Sequence, residues 1–308
     1  SHWMKLFTPK QLHSLLIKKH YDIEVSYLEG PSARIISGCE DPRIKTVTWI
    51  HSNQFSTKGI SASFRNYREA KRCYLSFDKI VCVSKFMREN FCRWIPAEDK
   101  CTVLYNTVNA EKIQVESKEP ICELGNENTV KLIAVGTMKK VKGFDRLLRV
   151  VKRLYEEQYA FQLFFLGTGP QEEELFSTVK EYGLDSVVSF LGYQTNPYKY
   201  VAKCDLFVCS SYSEGFSTAA TEALIVGTPV CTVEVSGMKE MLGENNEFGV
   251  VTENSEEALY EGIKRLLDDP GLLKHYREQA IIRGESFNTK NTVKAVENMI
   301  MRVLYELD

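Results

Sequence analysis

The chain has 308 residues, 44% of them apolar and 26% charged, with a formal net charge of −2. That is the composition of an ordinary globular protein of about two domains, not of a disordered or fibrous one. No apolar run approaches the roughly 18–20 residues that span a bilayer, and the N-terminus shows no signal-peptide pattern.

Charge is unevenly spread. Residues 1–112 carry 18 Lys+Arg against 11 Asp+Glu, a net of +7, and the remainder carries 21 against 30, a net of −9. A basic front half suits an anionic partner such as a phosphate-bearing lipid or a membrane surface, or it is a solvated face with no partner. Nine cysteines (Cys39, Cys73, Cys82, Cys92, Cys101, Cys122, Cys204, Cys209 and Cys231) are scattered singly with no C-x-x-C pair. Free thiols in a reducing cytoplasm are the better reading than disulfides. No Cys/His cluster has metal-ligand spacing and no Asp-x-Asp stands at a strand end, so no metal site is expected.

In chain order, helices are expected near 9–19, 61–75 and 85–93. Strands are expected at 21–30, 44–51 ("IKTVTWIH"), 78–84 ("DKIVCVS") and 101–106 ("CTVLYN"). A polar stretch from 109 to 128, with Pro120 and Gly125, is the expected connection, its linker proper at 113–128. From residue 129 the alternation is regular. "TVKLIAVG" (129–136) is a β-branched run ending in Gly, and "GFDRLLRVVKRLYEEQ" (143–158) carries an apolar helical stripe. Strands at 161–167, 187–192, 204–211 and 228–235 alternate with helices at 170–183, 218–227 and 255–270, the last stopping at Pro270. A final helix at 289–306 shows Val293, Val296, Ile300, Val303 and Leu304 at helical spacing. Such alternation implies right-handed β-α-β units, a parallel sheet, and a ligand at the C-terminal ends of the strands.

Two strand-end loops carry chemistry. In "SEGFSTAATEALIVGTPV" (213–230), Glu214 and Glu222 flank Gly215, Phe216 and small residues. If a helix begins near Ser217, its free N–H groups and positive dipole end, with Ser217 and Thr218 at hand, suit a phosphate. Glu222, about one and a half turns into that helix, is placed to accept from vicinal hydroxyls such as a ribose. Glu214, before the turn, is placed to accept from a second sugar. Taken alone, such a pair is more often a cap and a surface acid. The second loop, "VGTMKKVKGFDRLL" (135–148), sets Lys139, Lys140 and Lys142 between a strand and a helix, where cations neutralise a diphosphate.

Together these segments resemble the retaining glycosyltransferases of the GT-B fold, in particular the large family 4. The resemblance rests on "VGTMKKVKGFD", "FLGTGP", "VSFLG" and "CDLFVCSSYSEGFSTAATEALIVGTPV", which follow in order over 129–235. "WIHSN" (49–53), "IVCVSKFM" (80–87) and "VLYNTVNAEKI" (103–113) add to it in the front half. Glu214 and Glu222 match the family's Glu–seven residues–Glu motif.

The resemblance implies an α/β chain of two Rossmann-like domains. An acceptor-side domain would cover 1–112 and a nucleotide-sugar domain 129–285, with a tail, 286–308, packing back toward the front domain. It implies a metal-independent hexosyltransferase without a cofactor. The co-substrate would be a UDP- or GDP-linked sugar and the acceptor a saccharide or lipid. The setting would be polysaccharide synthesis in the cytoplasm, at the inner face of an anionic membrane, with no nucleic-acid partner. By position, Glu222 would hold the ribose and Glu214 the transferred sugar, beside Gly215 and Phe216. Ser217 and Thr218 would hold the diphosphate, and Lys142 would stabilise the leaving charge. Gly136, Thr137 and Lys139 would line the phosphate side, Gly192 and Tyr193 the base, and His51 would touch the sugar near the reacting carbon.

Two departures stand out. Thr137 occupies the position where the family commonly has Arg, so one phosphate cation is missing, and whether Lys139 replaces it stays open. The family's opening strand and Gly-rich loop have no counterpart before "SHWMKLFTPKQLHSLL", so the front domain is expected to be incomplete. A non-catalytic nucleotide-sugar module and a GT-B-like sugar-nucleotide epimerase are the alternatives.

Overall fold

A computed structural model describes residues 2–52, 56–121, 124–126 and 129–305. Asn53 of the "WIHSN" motif, Cys122, the 122–123 and 127–128 parts of the expected linker, and Glu306 of the expected last helix lie outside the described residues. The chain divides into two compact units, Ser1–Asn106 with Lys290–Asp308, and Thr107–Thr289.

After a 3-10 turn at His2–Leu6, the first unit has helix α1 (Pro9–Leu16), set by a capping box. The Thr8 hydroxyl accepts from the Gln11 N–H at 3.2 Å, and the Gln11 side chain accepts from the Thr8 N–H at 2.9 Å. Strands β1 (Ile23–Ser26), β2 (Lys45–Ile50), β3 (Lys79–Cys82) and β4 (Cys101–Val103) lie in that order, every pair parallel. Parallel strands need crossovers, supplied by α2 (Pro31–Ile36), α3 (Thr57–Ile60), α4 (Tyr67–Ser76) and α5 (Lys85–Trp94). The helix expected over 61–75 is corrected to α4 alone, which starts later because Asn66 caps it, its side chain accepting from the Glu69 N–H at 2.9 Å. Val47, Ile50, Ile80, Val81 and Cys82 are fully buried and form the sheet's core.

In the second unit, β5 (Val130–Val135), β6 (Phe161–Leu166), β7 (Val188–Phe190), β8 (Leu206–Cys209), β9 (Val230–Val233) and β10 (Val250–Thr252) form one parallel sheet in the order β10-β9-β8-β5-β6-β7. Its helices are α6 (Ala110–Glu116), α7 (Phe144–Glu156), α8 (Glu172–Glu181), α9 (Tyr198–Val201), α10 (Thr218–Ile225), α11 (Met238–Leu242), α12 (Glu256–Asp268) and α13 (Pro270–Glu285). The last helix, α14 (Thr289–Tyr305), falls from Lys290 onward in the first unit. Every residue of β8 and β9 is buried, as continuous apolar runs in a doubly covered sheet must be. Helix α7 lays Phe144, Leu147, Leu148, Val151 and Leu154 into this core.

Three expectations are corrected. Part of the expected linker is helical: Asn109 caps α6, and Ala110 and Ile113 bury an apolar edge that the polar composition hid. Pro270 ends α12 but also begins α13, because Asp269 caps it, Oδ1 accepting from the Leu272 N–H at 3.0 Å, and proline is tolerated in a first turn. A sixth strand, β10, is three residues long, too short to show a pattern.

Strand order in this sheet reverses between β5 and β8. Later strands extend from β5 on one side (β6, β7) and from β8 on the other (β9, β10), which opens a crevice at the C-terminal ends of β5 and β8.

Candidate functional site

The loops that leave β5 and β8 meet at this reversal. After β5 the chain makes a 3-10 turn, Lys140–Lys142, and enters α7 through Gly143 at φ 64°. A Cβ on Gly143 would stand 2.0 Å from the Ser210 carbonyl oxygen, so only glycine lets the two loops come this close. The Ser210 hydroxyl donates to the Lys142 carbonyl at 3.1 Å.

Lys142 Nζ then reaches Glu214 Oε1 at 2.7 Å, and the Ser211 hydroxyl donates to the same oxygen at 2.6 Å. The pair is largely sheltered, with side-chain exposures of 26% and 12%. The Ser236 hydroxyl, after β9, donates to the Glu214 carbonyl. Thus the lysine expected at a phosphate and the glutamate expected at a sugar occupy one point.

Sequence reasoning missed the residue that fixes this loop. Arg146, 3% exposed on α7, donates from its guanidinium to the Ser210 and Ser211 carbonyls and, at 2.8 Å, to Asn254 Oδ1. It also stacks 4.4 Å from the Tyr212 ring centre. Burial lowers its pKa, and the converging carbonyl oxygens meet its charge. The signal was a cation on the buried stripe of α7.

The three lysines separate. Lys142 joins Glu214, Lys140 pairs with Asp145 at 2.7 Å, and Lys139 is exposed with no side-chain partner among the described residues. Asp145 also binds Arg149 at 3.2 Å and accepts from the Tyr212 hydroxyl at 3.2 Å. Gly136 lies at the end of β5, its N–H donating to Leu166, and Thr137 beyond it is exposed.

Helix α10 begins beside Glu214. Ser217 is its cap, the hydroxyl accepting from the Ala220 N–H at 3.3 Å, while Thr218 is exposed, Gly215 is partly exposed and Phe216 is buried. Glu222, half a helix further on, accepts from the Tyr198 hydroxyl at 3.5 Å. Burial pushes its carboxyl up to about 7, because little around it replaces the lost water. Gly192, with φ 65°, accepts from the Gly167 N–H at 2.8 Å at the end of β6, and Tyr193 after it is 74% exposed. Glu234, at the end of β9, was not foreseen. Its Oε2 is buried without a partner among the described residues, and burial raises its pKa.

His51 belongs to the first unit, just after β2. Glu29 holds its loop, accepting from the His51 N–H at 3.0 Å and the Ser52 N–H at 2.9 Å. The Tyr27 ring lies 4.9 Å from the imidazole, whose Nε2 is buried without a hydrogen bond among the described residues. For a metal, one described group of His, Cys and acidic residues is close enough, His13, Glu24 and Cys39, also in the first unit. No helix of the described residues is long and apolar enough to cross a membrane. The eight described cysteines are free.

Comparison with known proteins adds two family matches, glycosyl transferases group 1 over residues 119–283 and glycosyltransferase family 4 over residues 1–112. The chain is 35% identical over 191 residues to the N-acetylgalactosamine-N,N'-diacetylbacillosaminyl-diphospho-undecaprenol 4-alpha-N-acetylgalactosaminyltransferase of Campylobacter jejuni, covering 61% of this chain and 50% of that one. It is 31% identical over 166 residues to the lipopolysaccharide core biosynthesis glycosyltransferase LpsD of Rhizobium meliloti, covering 54% and 46%. The chain thus spans about half the length of these curated relatives. Anabaena HepE, solved in complex with UDP and glucose, superposes with a TM-score of 0.78 at 17% identity, over 91% of this chain and 78% of that one. The architecture is therefore that of GT-B glycosyltransferases.

Proposed function

Starting from the fact that the chain belongs to the glycosyl transferases group 1 family, we propose that it moves a hexose from a nucleotide diphosphate sugar to a saccharide or lipid-linked acceptor and keeps the anomeric configuration. The observation that carries this reading is the meeting of Lys142 and Glu214 at 2.7 Å, at the crevice where the strand order reverses. The relatives' names support the details. One acts on a diphospho-undecaprenol-linked sugar, and the HepE structure holds UDP and glucose. A UDP-linked donor and a lipid diphosphate acceptor fit best, with GDP the other base to test.

In this reading the ribose hydroxyls donate to Glu222, and the diphosphate lies over the start of α10 near Ser217 and Thr218, where unpaired N–H groups and the helix dipole favour anions. Lys142 turns from Glu214 to the leaving diphosphate, and Glu214, released, accepts from the sugar hydroxyls. The acceptor hydroxyl attacks the anomeric carbon on the face that the diphosphate leaves, and a diphosphate oxygen takes its proton. The protein contributes position and charge. Lys142 and the helix supply the positive charge, so the reading needs no divalent ion at the diphosphate. Gly136, Thr137 and Lys139 border the phosphate side, Gly192 and Tyr193 the base, and Gly215 and Phe216 the sugar, while His51 acts near the reacting carbon. We place the reaction in the cytoplasm, with the basic front unit against an anionic membrane.

The test incubates the protein with UDP- and GDP-sugars and a lipid-linked saccharide. Free nucleotide with glycosylated product supports transfer. Donor binding without turnover, or release of an epimerised donor, overturns it.

A further inference from the structure

The first unit holds a cluster that the transfer reaction does not use. Helix α1 contributes His13, β1 contributes Glu24, and the turn after α2 contributes Cys39. A His13 ring nitrogen, a Glu24 oxygen and Cys39 Sγ all lie within 4.8 Å of one another. These positions are 11 and 15 residues apart in sequence, too far for a spacing motif, and only the packing of α1 and α2 beside β1 gathers them.

The cluster is built rather than accidental. Glu24 is 5% exposed, yet its Oε1 has no hydrogen-bond partner among the described residues. Its other oxygen is 2.7 Å from His13 Nε2. A buried carboxylate usually fills its acceptor sites, so an unfilled one beside an imidazole and a thiol marks room for an electrophile. The group borders a cavity of about 330 Å³ that His20, Asp41 and Lys10 also line. Lys10 is engaged elsewhere, paired with Glu40 at 2.5 Å, and among the described residues no lysine or arginine pairs with Glu24.

We propose that His13, Glu24 and Cys39 bind one zinc-class divalent transition ion, with a fourth position open to water on the cavity side. The donor set decides the class. A thiolate with an imidazole and a carboxylate is a zinc-type set, whereas calcium and magnesium take oxygen alone. Metal–ligand lengths of roughly 2.0–2.3 Å at tetrahedral angles separate ligand atoms by about 3.4 Å, so the His13–Glu24 contact opens by well under an ångström. The ion enters between Glu24 and His13, the ring proton passing through solvent to Nδ1 so that Nε2 can coordinate, and the Cys39 thiol proton leaves to solvent. A thiol must lose its proton to bind a metal, so binding strengthens as pH rises. Since β1 is an edge strand of the described sheet, the ion acts as a staple holding α1 and the α2–β2 turn to that edge.

The proposal is tested on the full chain, stripped of metal and titrated with Co²⁺ and then Zn²⁺. One equivalent of Co²⁺ produces a thiolate-to-metal charge-transfer band, which Zn²⁺ abolishes by displacement while raising Tm. Cys39→Ser removes the band, and His13→Gln weakens Zn²⁺ binding by more than the roughly 10–100-fold that loss of an outer partner costs. His13→Gln is the safer variant for folding, because a glutamine amide still donates to Glu24. An absent band, or a band that survives in both variants, overturns the assignment. Neither residue belongs to the proposed donor site, so this outcome is independent of the transferase reading.

Discussion

Replacing Glu222 with Gln isolates the cost of burying a carboxylate that waits for a ligand. The free protein holds this group at about 7 against an ordinary 4.5, and burial is the cause. Moving the carboxyl from 4.5 to about 7 corresponds to roughly 3 kcal/mol against the charged form. Below pH 4.5 both folded and unfolded states carry the proton, and the group costs nothing. As pH rises toward 7 the unfolded chain releases a proton that the folded chain retains, so stability falls, reaching the full loss above pH 7. Glutamine is neutral throughout and keeps an acceptor for the Tyr198 hydroxyl. Glu222→Gln is therefore expected to raise Tm by roughly 6–12 °C at pH 8, using about 2–4 °C per kcal/mol for a unit of this size, and by little at pH 5. The same variant is expected to bind UDP more weakly at pH 8, where the carboxylate would accept from the ribose. Thermal unfolding at the two pH values, with calorimetry of UDP binding, checks both. An equal Tm difference at pH 5 and pH 8, or undiminished nucleotide affinity, refutes the reasoning.

Lys142→Ala is expected to lower kcat by about 10²–10³-fold while changing donor affinity far less, because its partner charge develops only as the diphosphate leaves; steady-state rates and a donor Kd measured separately check this. Glu214→Ala is expected to weaken the nucleotide sugar but to leave the sugar-free nucleotide bound as well as before or better, since Lys142 is freed from its 2.7 Å pair. Calorimetry with both ligands decides, and equal losses for the two would remove Glu214 from the sugar end. Arg146→Met is expected to cost about 3 kcal/mol, because the Ser210 and Ser211 carbonyls lose a charged donor; an unchanged Tm would contradict its role as the clamp of this loop.

The second unit was largely legible from sequence, because buried parallel strands write themselves as apolar runs and their Gly-ended loops break the pattern cleanly. "TVKLIAVG" and "CDLFVCSS" contain β5 and β8 with an excess of one or two residues at each end. The first unit was less legible, since α2 and α3 are only six and four residues long. At the site, the loop positions of Lys142 and Glu214 followed from their place after strands. Their contact did not, because it depends on strand order, which periodicity does not encode. Arg146 acts through burial, and burial of a polar residue has no periodic signature, while the half-buried Glu29 and Glu234 act in loops whose contacts periodicity does not encode. The separation of Lys139, Lys140 and Lys142 turns on the 3-10 turn, which points consecutive side chains in different directions.

The strand order also sets how this unit is assembled. Leu132 of β5 pairs with Leu163 of β6 on one side and with Leu206 of β8 on the other. As the chain is synthesised, β5 (Val130–Val135) is complete long before β8 (Leu206–Cys209) emerges, with β6 and β7 made in between, so one flank of β5 waits with its hydrogen-bonding groups unpaired. Pairings across that sequence distance form slowly, and open strand edges are where partly folded chains associate. The seam that Lys142 and Glu214 straddle is therefore among the last to close, and conditions that slow its closure should aggregate the chain before they impair any chemistry.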